Sequence, residues 1–379
     1  MRCWLLTGRR AGMGAALVLL AAGCAAQPAK PAAPSPRVAT PPLATSLVTA
    51  QGTWAIAVMG GSAASGNDFW ELFVRPQGAS RWSLVTPQGV ADNGGLVAAG
   101  AGPGLLVGFR PSQGLAFSPL ASSTDTGKSW APGLLDADLA DVPDALAEGT
   151  AGQAMALLGN GSIQTAPTAA AANAGHWSPL ASLRALAASA PGRACGLVGV
   201  SAVSFGLHNV PMAAGSCLRP GVAGVFADAG GTWRAAGPPV PAGLGGDQVQ
   251  VLGLTETADG PAALLEAGTS LLAAWSDGAR WTVSAPVAAG RVSAAGFGPG
   301  GSAWVLLGGG RAQVIAGPGG SWRALPELPP GTATLAPGAG GGYHALAASG
   351  ARLTVWRLAG AGWAQVQVMN VPISYGSSS

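Results

Sequence analysis

Ser123-Thr124-Asp125-Thr126-Gly127-Lys128-Ser129-Trp130 is a polar segment with a short apolar run on either side. Ser and Asp side chains accept hydrogen bonds from nearby backbone N–H groups, and glycine adopts a positive φ that other residues resist. Trp130 then adds a large apolar surface where the next run begins. The segment therefore predicts a tight turn between two β-strands.

Weaker copies of this turn recur along the chain. Asp228 to Trp233 keeps the Asp, Gly and Trp, and Asp277 to Trp281 lacks one residue between Asp and Gly. Two later copies keep only the Gly-to-Trp spacing, and two others are more eroded. Each copy ends in a tryptophan, and these anchors are Trp82, Trp130, Trp177, Trp233, Trp281, Trp322 and Trp363. They are separated by 48, 47, 56, 48, 41 and 41 residues.

A repeat of this length, built from short strands, is typical of a propeller blade. The sequence therefore predicts an all-β fold, a seven-bladed β-propeller of four-stranded antiparallel blades, with each anchor buried against its own or a neighbouring sheet. Residues 134–149 and 180–190 are rich enough in Ala and Leu to form helices, and here the period favours strands. The predicted blades cover residues 46–87, 88–136, 137–182, 183–240, 241–287, 288–328 and 329–370, followed by a tail at 371–379.

The spacing Ser-x-Asp-x-Gly-x-x-Trp resembles the Asp-box, or bacterial neuraminidase repeat. This resemblance implies a turn between the third and fourth strands of a blade, whose residues are structural rather than catalytic. The positions that carry it are Ser123, Asp125, Gly127, Trp130, Asp228, Gly230, Trp233, Asp277 and Trp281.

The start of the chain predicts export. Residues 1–23 combine a basic segment ending at Arg9-Arg10 with an apolar run too short to span a bilayer permanently. Leu20-Ala21-Ala22-Gly23-Cys24 resembles a bacterial lipobox, with Ala21 where Leu is usual. That resemblance implies a lipoprotein whose Cys24 is acylated, palmitate being one such acyl group. Such a lipoprotein would be anchored to the outer face of the bacterial cell membrane. The alternative is a plain secretory signal with an incidental Cys.

The segment that follows predicts a tether. Residues 24–45 are rich in Pro and Ala and cannot bury enough apolar surface to fold, so we expect a disordered linker. Two cysteines remain after Cys24, namely Cys195 and Cys217. In an exported protein we expect them to form a disulfide bond. They flank residues 204–220, which are predicted to enlarge a loop between the second and third strands of blade four.

The charge of the chain excludes one class of partner. The formal net charge is +3, from 19 basic and 16 acidic residues. Removing Arg2, Arg9 and Arg10 leaves 16 of each sign. Because a nucleic-acid-binding surface needs an excess of basic residues, we expect no nucleic-acid partner.

Sialidases place Asp-boxes on a propeller, so their catalytic set is the first to look for. The nearest string to their Arg motif, Phe73-Val74-Arg75-Pro76, has the wrong spacing, and the only tyrosines are Tyr343 and Tyr375. His176, His208 and His344 are too scattered for a metal site and are predicted at surface or turn positions. Asp136, Asp138, Asp141 and Asp144 are either a solvated acidic loop or, less simply, a cation site. We therefore expect no catalytic residues, no metal and no cofactor.

One pattern suggests a ligand. If the strands of each blade run in order from A to D, the D–A and B–C loops share one edge of the sheets. The residues predicted on that edge are Arg110, Arg184, His208, Arg219, Arg291, Arg311 and Arg352, whereas Arg75, Arg193, Arg280 and Arg323 are predicted on the other face or the rim. A basic edge would suit an anionic glycan or an acidic protein segment; alternatively, these arginines only solubilise loops. The sequence thus favours a monomeric, non-catalytic binding scaffold. The alternatives are a divergent, sialidase-like glycoside hydrolase and an assembly factor for a membrane complex.

Overall fold

The computed structural model describes residues 46–49, 52–59, 69–76, 79–85, 92–99, 105–111, 120–125, 127–132, 143–167, 177–337, 342–349 and 352–370. The predicted signal peptide, its Cys24 and the C-terminal tail lie outside these residues. Within them the chain forms seven antiparallel sheets and two short α-helices. No helix in the described part is long and apolar enough to cross a membrane.

Each sheet contains four strands that follow one another in the chain. Sheet 1 comprises β1 (Ser46–Thr49), β2 (Gly52–Met59), β3 (Phe69–Pro76) and β4 (Ser83–Leu84). Sheet 2 comprises β5 (Asp92–Ala99), β6 (Leu105–Pro111), β7 (Leu120–Ser123) and β8 (Ala131–Pro132). Sheet 3 comprises β9 (Ala145–Glu148), β10 (Gln153–Leu157), β11 (Ser162–Pro167) and β12 (Ser178–Ser182).

Helices α1 (Leu183–Ala188) and α2 (Ala190–Cys195) separate sheets 3 and 4. Sheet 4 comprises β13 (Leu197–Gly206), β14 (Val210–Cys217), β15 (Gly224–Asp228) and β16 (Trp233–Ala235). Sheet 5 comprises β17 (Val249–Glu256), β18 (Pro261–Ala267), β19 (Ser270–Ser276) and β20 (Trp281–Val283), and β21 (Val287–Ala288) also pairs with β19.

The last two sheets repeat the pattern. Sheet 6 comprises β22 (Val292–Phe297), β23 (Ala303–Leu307), β24 (Arg311–Ile315) and β25 (Arg323–Ala324). Sheet 7 comprises β26 (Thr332–Pro337), β27 (Tyr343–Ser349), β28 (Arg352–Ala359) and β29 (Gly362–Asn370). Short 3₁₀ turns occur at Leu207–Asn209, Ala242–Leu244 and Pro299–Gly301.

Contacts between neighbouring sheets run through the first strand of each. Strand β5 touches sheet 1 and β9, β13 touches β9 and β17, and β22 touches β17 and β26. Strand β26 in turn touches β1 and β2, so the last sheet contacts the first. Sheets of this form, following one another and packed in this order, make a β-propeller fold.

The middle strands are buried on both faces because a sheet lies against each side of them. Strands β18, β19 and β23 are buried along nearly their whole length. Such strands need continuous apolar runs rather than alternation. The fourth strands β16, β20 and β25 are short and largely exposed, so each relies for burial on the one Trp at or just before its start.

The strand prediction holds for residues 180–182, which end β12, and was wrong for residues 183–190. Ser182 caps α1 by accepting a hydrogen bond from the Ala185 N–H, and Ser189 caps α2 by accepting one from the Gly192 N–H. Alanine favours helix, and buried Leu186 anchors α1 to the core. Two good caps and strong helix formers override the repeat here. The strand prediction does hold at Ala145–Glu148.

The enlarged loop predicted in blade four was also misplaced. Residues 204–217 are not a loop between the second and third strands, because they include the end of β13, a turn and all of β14. The additional length is the helical pair between sheets 3 and 4. The disulfide is present and joins Cys195, at the end of α2, to Cys217, at the end of β14, with Cα atoms 5.2 Å apart. It therefore fastens the helical pair to sheet 4.

Candidate ligand-binding surfaces

The turn at Ser123 to Trp130 is held by its own side chains. The Ser123 hydroxyl accepts the Gly127 N–H at 2.7 Å, and the two carboxylate oxygens of Asp125 accept the Ser129 N–H at 2.9 Å and the Ser129 hydroxyl at 2.6 Å. Gly127 has a φ of +81°. These bonds, led by that from the Ser129 hydroxyl, lower the pKa of Asp125 to about 2. Asp125 is thus occupied within its turn, as expected of a structural residue.

A glycine three residues before the tryptophan makes the turn in four of the other copies. Gly230, Gly278, Gly319 and Gly360 all have positive φ, between +60° and +87°. The Gly-to-Trp spacing therefore reports a backbone shape even where the Asp has been lost.

Four of the tryptophans that follow these turns tie their sheet to the preceding one. The indole N–H of Trp130 donates to the Val85 carbonyl at 2.8 Å, and that of Trp281 donates to the Ala236 carbonyl at 3.1 Å. Trp322 donates to the Ser284 hydroxyl at 3.1 Å, and Trp363 to the Pro326 carbonyl at 3.3 Å. We call this hydrogen bond the indole latch.

Full burial of the anchors was predicted and is wrong for most of them. Trp82 is buried, with 4% of its surface exposed, whereas the other six anchors are half-buried. The fourth strand lies at the rim, so only one face of each indole can pack against the core. Among the described side chains the most deeply buried tryptophan, Trp304, lies outside the periodic set, and so does Trp275, which is as buried as Trp82.

Strand order places most of the predicted basic residues on one edge, which we call the DA–BC edge. The exposed side chains there are Arg184, Arg219, Arg291, Arg311 and Arg352. Arg110 lies at the same edge, near the end of β6, and its side chain is outside the described residues. In sheet 6 two arginines lie close together, because the Gly308 N–H donates to the Arg291 carbonyl at 2.7 Å and the Arg311 Nε donates to the Gly308 carbonyl at 3.5 Å.

Two residues lie at edges other than those predicted. His208 belongs to the tight turn between β13 and β14, where its φ is +61°, so it lies at the opposite edge. Arg193 lies in α2, between sheets 3 and 4, and so joins the DA–BC edge, although it was predicted on the other face or the rim. Both errors follow from the misplaced loop of blade four.

The acidic run on the DA–BC edge is only partly described. Asp136, Asp138 and Asp141 lie outside the described residues, and Asp144 is exposed at the start of sheet 3. Within the described part, no three His, Cys, Asp or Glu side chains come together as a metal-ligand group. Of the two tyrosines, Tyr343 is buried, which raises its pKa, and Tyr375 lies outside the described part.

Two open grooves lie between adjacent sheets, each beside a latched tryptophan. The groove between sheets 4 and 5 has a volume of about 580 Å³ and is lined by residues that include Leu207, His208 and Trp281. The groove between sheets 6 and 7 has a volume of about 400 Å³ and is lined by Trp356, Trp363 and the prolines near residue 329. Both are mainly apolar.

We call the interface between two neighbouring sheets a seam. The seam between sheets 7 and 1 differs from the others described above because it contains a half-buried charge. The Arg75 guanidinium lies 5.7 Å from the centre of the Trp82 ring, and its Nη1 is 3.5 Å from Nε2 of His344. The rings of His344 and Trp82 meet edge to face, 6.5 Å apart. The Gln367 side chain accepts the Trp82 N–H and donates to the Trp82 carbonyl, both at 2.8 Å.

His344 was predicted at a surface or turn position, and this is wrong. It lies in β27 with only 8% of its surface exposed. Burial lowers its pKa to about 4, with smaller contributions from the charges of Arg75 and Arg357. Sequence reasoning missed the cluster because Arg75, Trp82 and His344 meet only when the two ends of the repeat array come together.

The fold and these surfaces define a β-propeller with basic, apolar and mixed sites at its strand edges. No family model matches the sequence, and no curated protein matches it. Among solved structures, the chain is similar to YCF48 bound to a D1 peptide, with 15% identity over 76% of this chain and 83% of that chain and a TM-score of 0.41. It is similar to YCF48 from Cyanidioschyzon merolae, with 14% identity, coverages of 86% and 96% and a TM-score of 0.45. It is also similar to the nidogen–laminin complex, with 10% identity, coverages of 59% and 71% and a TM-score of 0.36.

Proposed function

We propose that this protein is an exported, lipid-anchored β-propeller that binds a protein or glycan ligand without catalysing a reaction on it. In this proposal the seven sheets are seven blades of one closed ring, with the bounds predicted from the sequence, and the turns at Ser123 and Asp228 are Asp-boxes. Cys24 carries the lipid, and residues 24–45 tether the ring to the membrane.

The observation that carries the proposal is the position of the exposed arginines. In each sheet the strands follow one another in antiparallel order, so the second-to-third and sheet-to-sheet connections return to the same edge. In this order exposed arginines of the two helices and of sheets 4, 6 and 7 lie on the DA–BC edge, with Arg291 and Arg311 side by side in sheet 6. Guanidinium groups on neighbouring loops favour carboxylate, sulfate or phosphate groups of a ligand.

Reversing charge on the DA–BC edge tests the binding face. We expect the double variant Arg291→Glu/Arg311→Glu to lose at least tenfold in affinity for an acidic ligand, with heparin and polyglutamate as the two probes. Arg280→Glu, in an exposed turn at the opposite edge, is the matched control and should bind as the wild type does. Equal losses of affinity in both variants would mean that binding is only non-specific charge attraction. Unchanged affinity in the double variant would mean that the DA–BC edge is not the binding face.

Removing the lipid site tests the anchor separately. One acyl chain holds a protein at a membrane only weakly and two hold it well. Cys24→Ala should therefore release the protein from the membrane fraction or leave it unprocessed. A variant that stays membrane-bound and correctly cleaved would disprove lipidation at this residue. Assaying the purified protein against sialosides would test the glycosidase alternative, because turnover would overturn the non-catalytic assignment.

A further inference from the structure

Among the described residues, the seam between sheets 7 and 1 contains a cation without a counter-charge. Arg75 is half-buried, and burial lowers the pKa of its guanidinium. Its contacts in the described part are the Trp82 ring and His344, and no described carboxylate pairs with it. Removing a guanidinium from water is costly unless an anion or several hydrogen bonds replace the water. The seam therefore favours the arrival of a negative group.

The same seam has hydrogen-bond donors without acceptors. A guanidinium can only donate, so Nε2 of His344 accepts from Arg75 and the imidazole proton lies on Nδ1. That Nδ1 is buried and has no partner among the described residues, and neither has the indole nitrogen of Trp82. Four buried side-chain atoms of the described part share this condition, and two of them lie in this seam; the other two are Ser216 Oγ and Trp304 Nε1.

Trp82 departs from the repeat in a way that leaves its donor unused. In Trp130, Trp281, Trp322 and Trp363 the indole N–H reaches the preceding sheet through the indole latch. At Trp82, Gln367 of sheet 7 binds the backbone N–H and carbonyl instead. The seam is thus closed without the latch, and the indole N–H of Trp82 has no acceptor among the described residues.

A second arginine makes the field around the cluster positive. Arg357 is the antiparallel partner of His344 in sheet 7, and its side chain is exposed. Arg75 lies near the end of β3, at the edge formed by the A–B and C–D connections, opposite the DA–BC edge. Arg75 and Arg357 can only donate hydrogen bonds, and no described carboxylate pairs with Arg75. The chemical class that complements guanidinium groups is an oxyanion, whose oxygens accept such bonds.

We infer that the seam between sheets 7 and 1 is a binding site for an oxyanion group, a carboxylate or a phosphate. Arg75 makes the primary contact through its planar fork, and Arg357 adds charge at the exposed side. Trp82 is a positioning residue, because its ring face supports the guanidinium. The site is separate from the DA–BC edge and does not depend on the function proposed for that edge.

Titration calorimetry on the full chain in detergent tests this site. Inorganic phosphate and acetate are the two probes, at constant ionic strength in chloride. Wild type should bind at least one of them. Arg75→Gln should weaken binding at least tenfold, Arg75→Lys should give an intermediate loss, and Arg280→Gln, an exposed arginine at the same edge of sheet 5, should have no effect. Preference for acetate would indicate a carboxylate-bearing ligand, and preference for phosphate would indicate a phosphate-bearing one.

A spectroscopic readout keeps the test decisive if Arg75→Gln does not fold. The indole ¹H–¹⁵N signal that is missing in Trp82→Phe belongs to Trp82. It should shift on addition of the bound anion, while the signal missing in Trp281→Phe should not. Absence of binding by wild type, binding unchanged in folded Arg75→Gln, or a Trp82 signal that does not move at saturation would each overturn the site.

Discussion

Two seams of this molecule pack neighbouring sheets together through different kinds of contact. The seam between sheets 4 and 5 is lined by apolar side chains, among them Met212, Val251 and Leu265, and is latched by the Trp281 indole. The seam between sheets 7 and 1 has an apolar part around Phe73 and Leu346, and it adds Arg75 and His344.

The difference follows from how each seam is connected. Sheets 4 and 5 are joined by a short stretch of chain, so their packing is a local event. Sheets 7 and 1 lie at opposite ends of the described array, so their packing joins segments that are far apart in the sequence. Hydrogen bonds from Gln367 to the Trp82 backbone span 285 residues of sequence. The seam between sheets 7 and 1 therefore depends on hydrogen bonds from side chains. The seam between sheets 4 and 5, the local seam, depends on the short connection between the sheets and on the indole latch.

The largest expected effect is the loss of Trp82. Its side chain is buried, and it packs in the apolar cluster with Phe73 and Val355. Trp82→Ala should lower the free energy of unfolding by about 3–5 kcal/mol, since a large cavity replaces the ring. Urea unfolding of the purified chain measures this loss. Half-buried Trp281, changed to Ala, is the comparison and should cost less; an equal or greater cost would mean that the two seams do not differ in this respect.

Gln367→Ala should have the next largest effect. It removes two hydrogen bonds and leaves the Trp82 N–H and carbonyl unpaired in a partly buried place, at a cost of about 1–3 kcal/mol. Gln365→Ala is the matched control, because Gln365 is exposed on the same strand. Thermal unfolding of the two variants checks the result. Closely similar midpoints for both would show that the Gln367 bonds do not stabilise the seam.

These two variants also mark the limit of sequence reasoning. The repeat of Gly and Trp predicted the sheets, and it worked because a left-handed glycine and a rim tryptophan are local requirements that each sheet must meet. The sequence predicts the strands of blade five at 249–254, 262–266, 270–275 and 281–284, and β17 to β20 lie within two residues of these bounds at each end. Gln367 carried no such signal. Its partner is the backbone of Trp82, and backbone groups are alike at every position.

Failures at α1 and at the Arg75 cluster have separate causes. Ser182 and Ser189 are residues that commonly cap helices, and the sequence shows them. The spacing of the Trp repeat, however, favoured strands at these positions. The cluster was not readable, because a Phe-Val-Arg-Pro string in β3 and a histidine in β27 give no sign that they are neighbours. The edge at which each basic residue lies was predicted correctly wherever the predicted strands were right. The predicted edge was wrong for His208 and Arg193, where the predicted strands were shifted along the sequence.

The third prediction concerns the stability of the folded chain at acidic pH. The pKa of His344 is about 4, below its ordinary value of 6.5. Well above pH 6.5 the imidazole is neutral in both the folded and the unfolded chain, so its protonation does not change the free energy of unfolding there. As pH falls from 6.5 to about 4, the unfolded chain binds a proton that the folded chain does not, so stability decreases by roughly 1–3 kcal/mol. Below pH 4 both forms are protonated and this loss stops growing.

Comparison of variants isolates that effect. His344→Gln should flatten the decline of the unfolding free energy between pH 6.5 and 4, whereas His208→Gln, at an exposed turn, should leave the decline unchanged. Asp125 acts in a different window. Its lowered pKa contributes stability above its ordinary value of 3.8 that is lost as pH falls towards 2. A decline between pH 6.5 and 4 that persists in His344→Gln would assign it to another group.

The smallest effect belongs to the local seam, and it tests the indole latch itself. Trp281→Phe keeps an aromatic ring beside sheet 4 but removes the N–H that donates to the Ala236 carbonyl at 3.1 Å. We expect a loss of about 0.5–1.5 kcal/mol, the usual net value of one such bond. Thr282→Ala, exposed on the same strand, controls for changes in β20. Hydrogen–deuterium exchange of the indole N–H gives a second measurement in the wild type, where the Trp281 proton should exchange more slowly than a solvent-exposed indole. Fast exchange at Trp281, together with a neutral Trp281→Phe, would mean that the local seam is held by apolar packing alone and that the latch does not contribute.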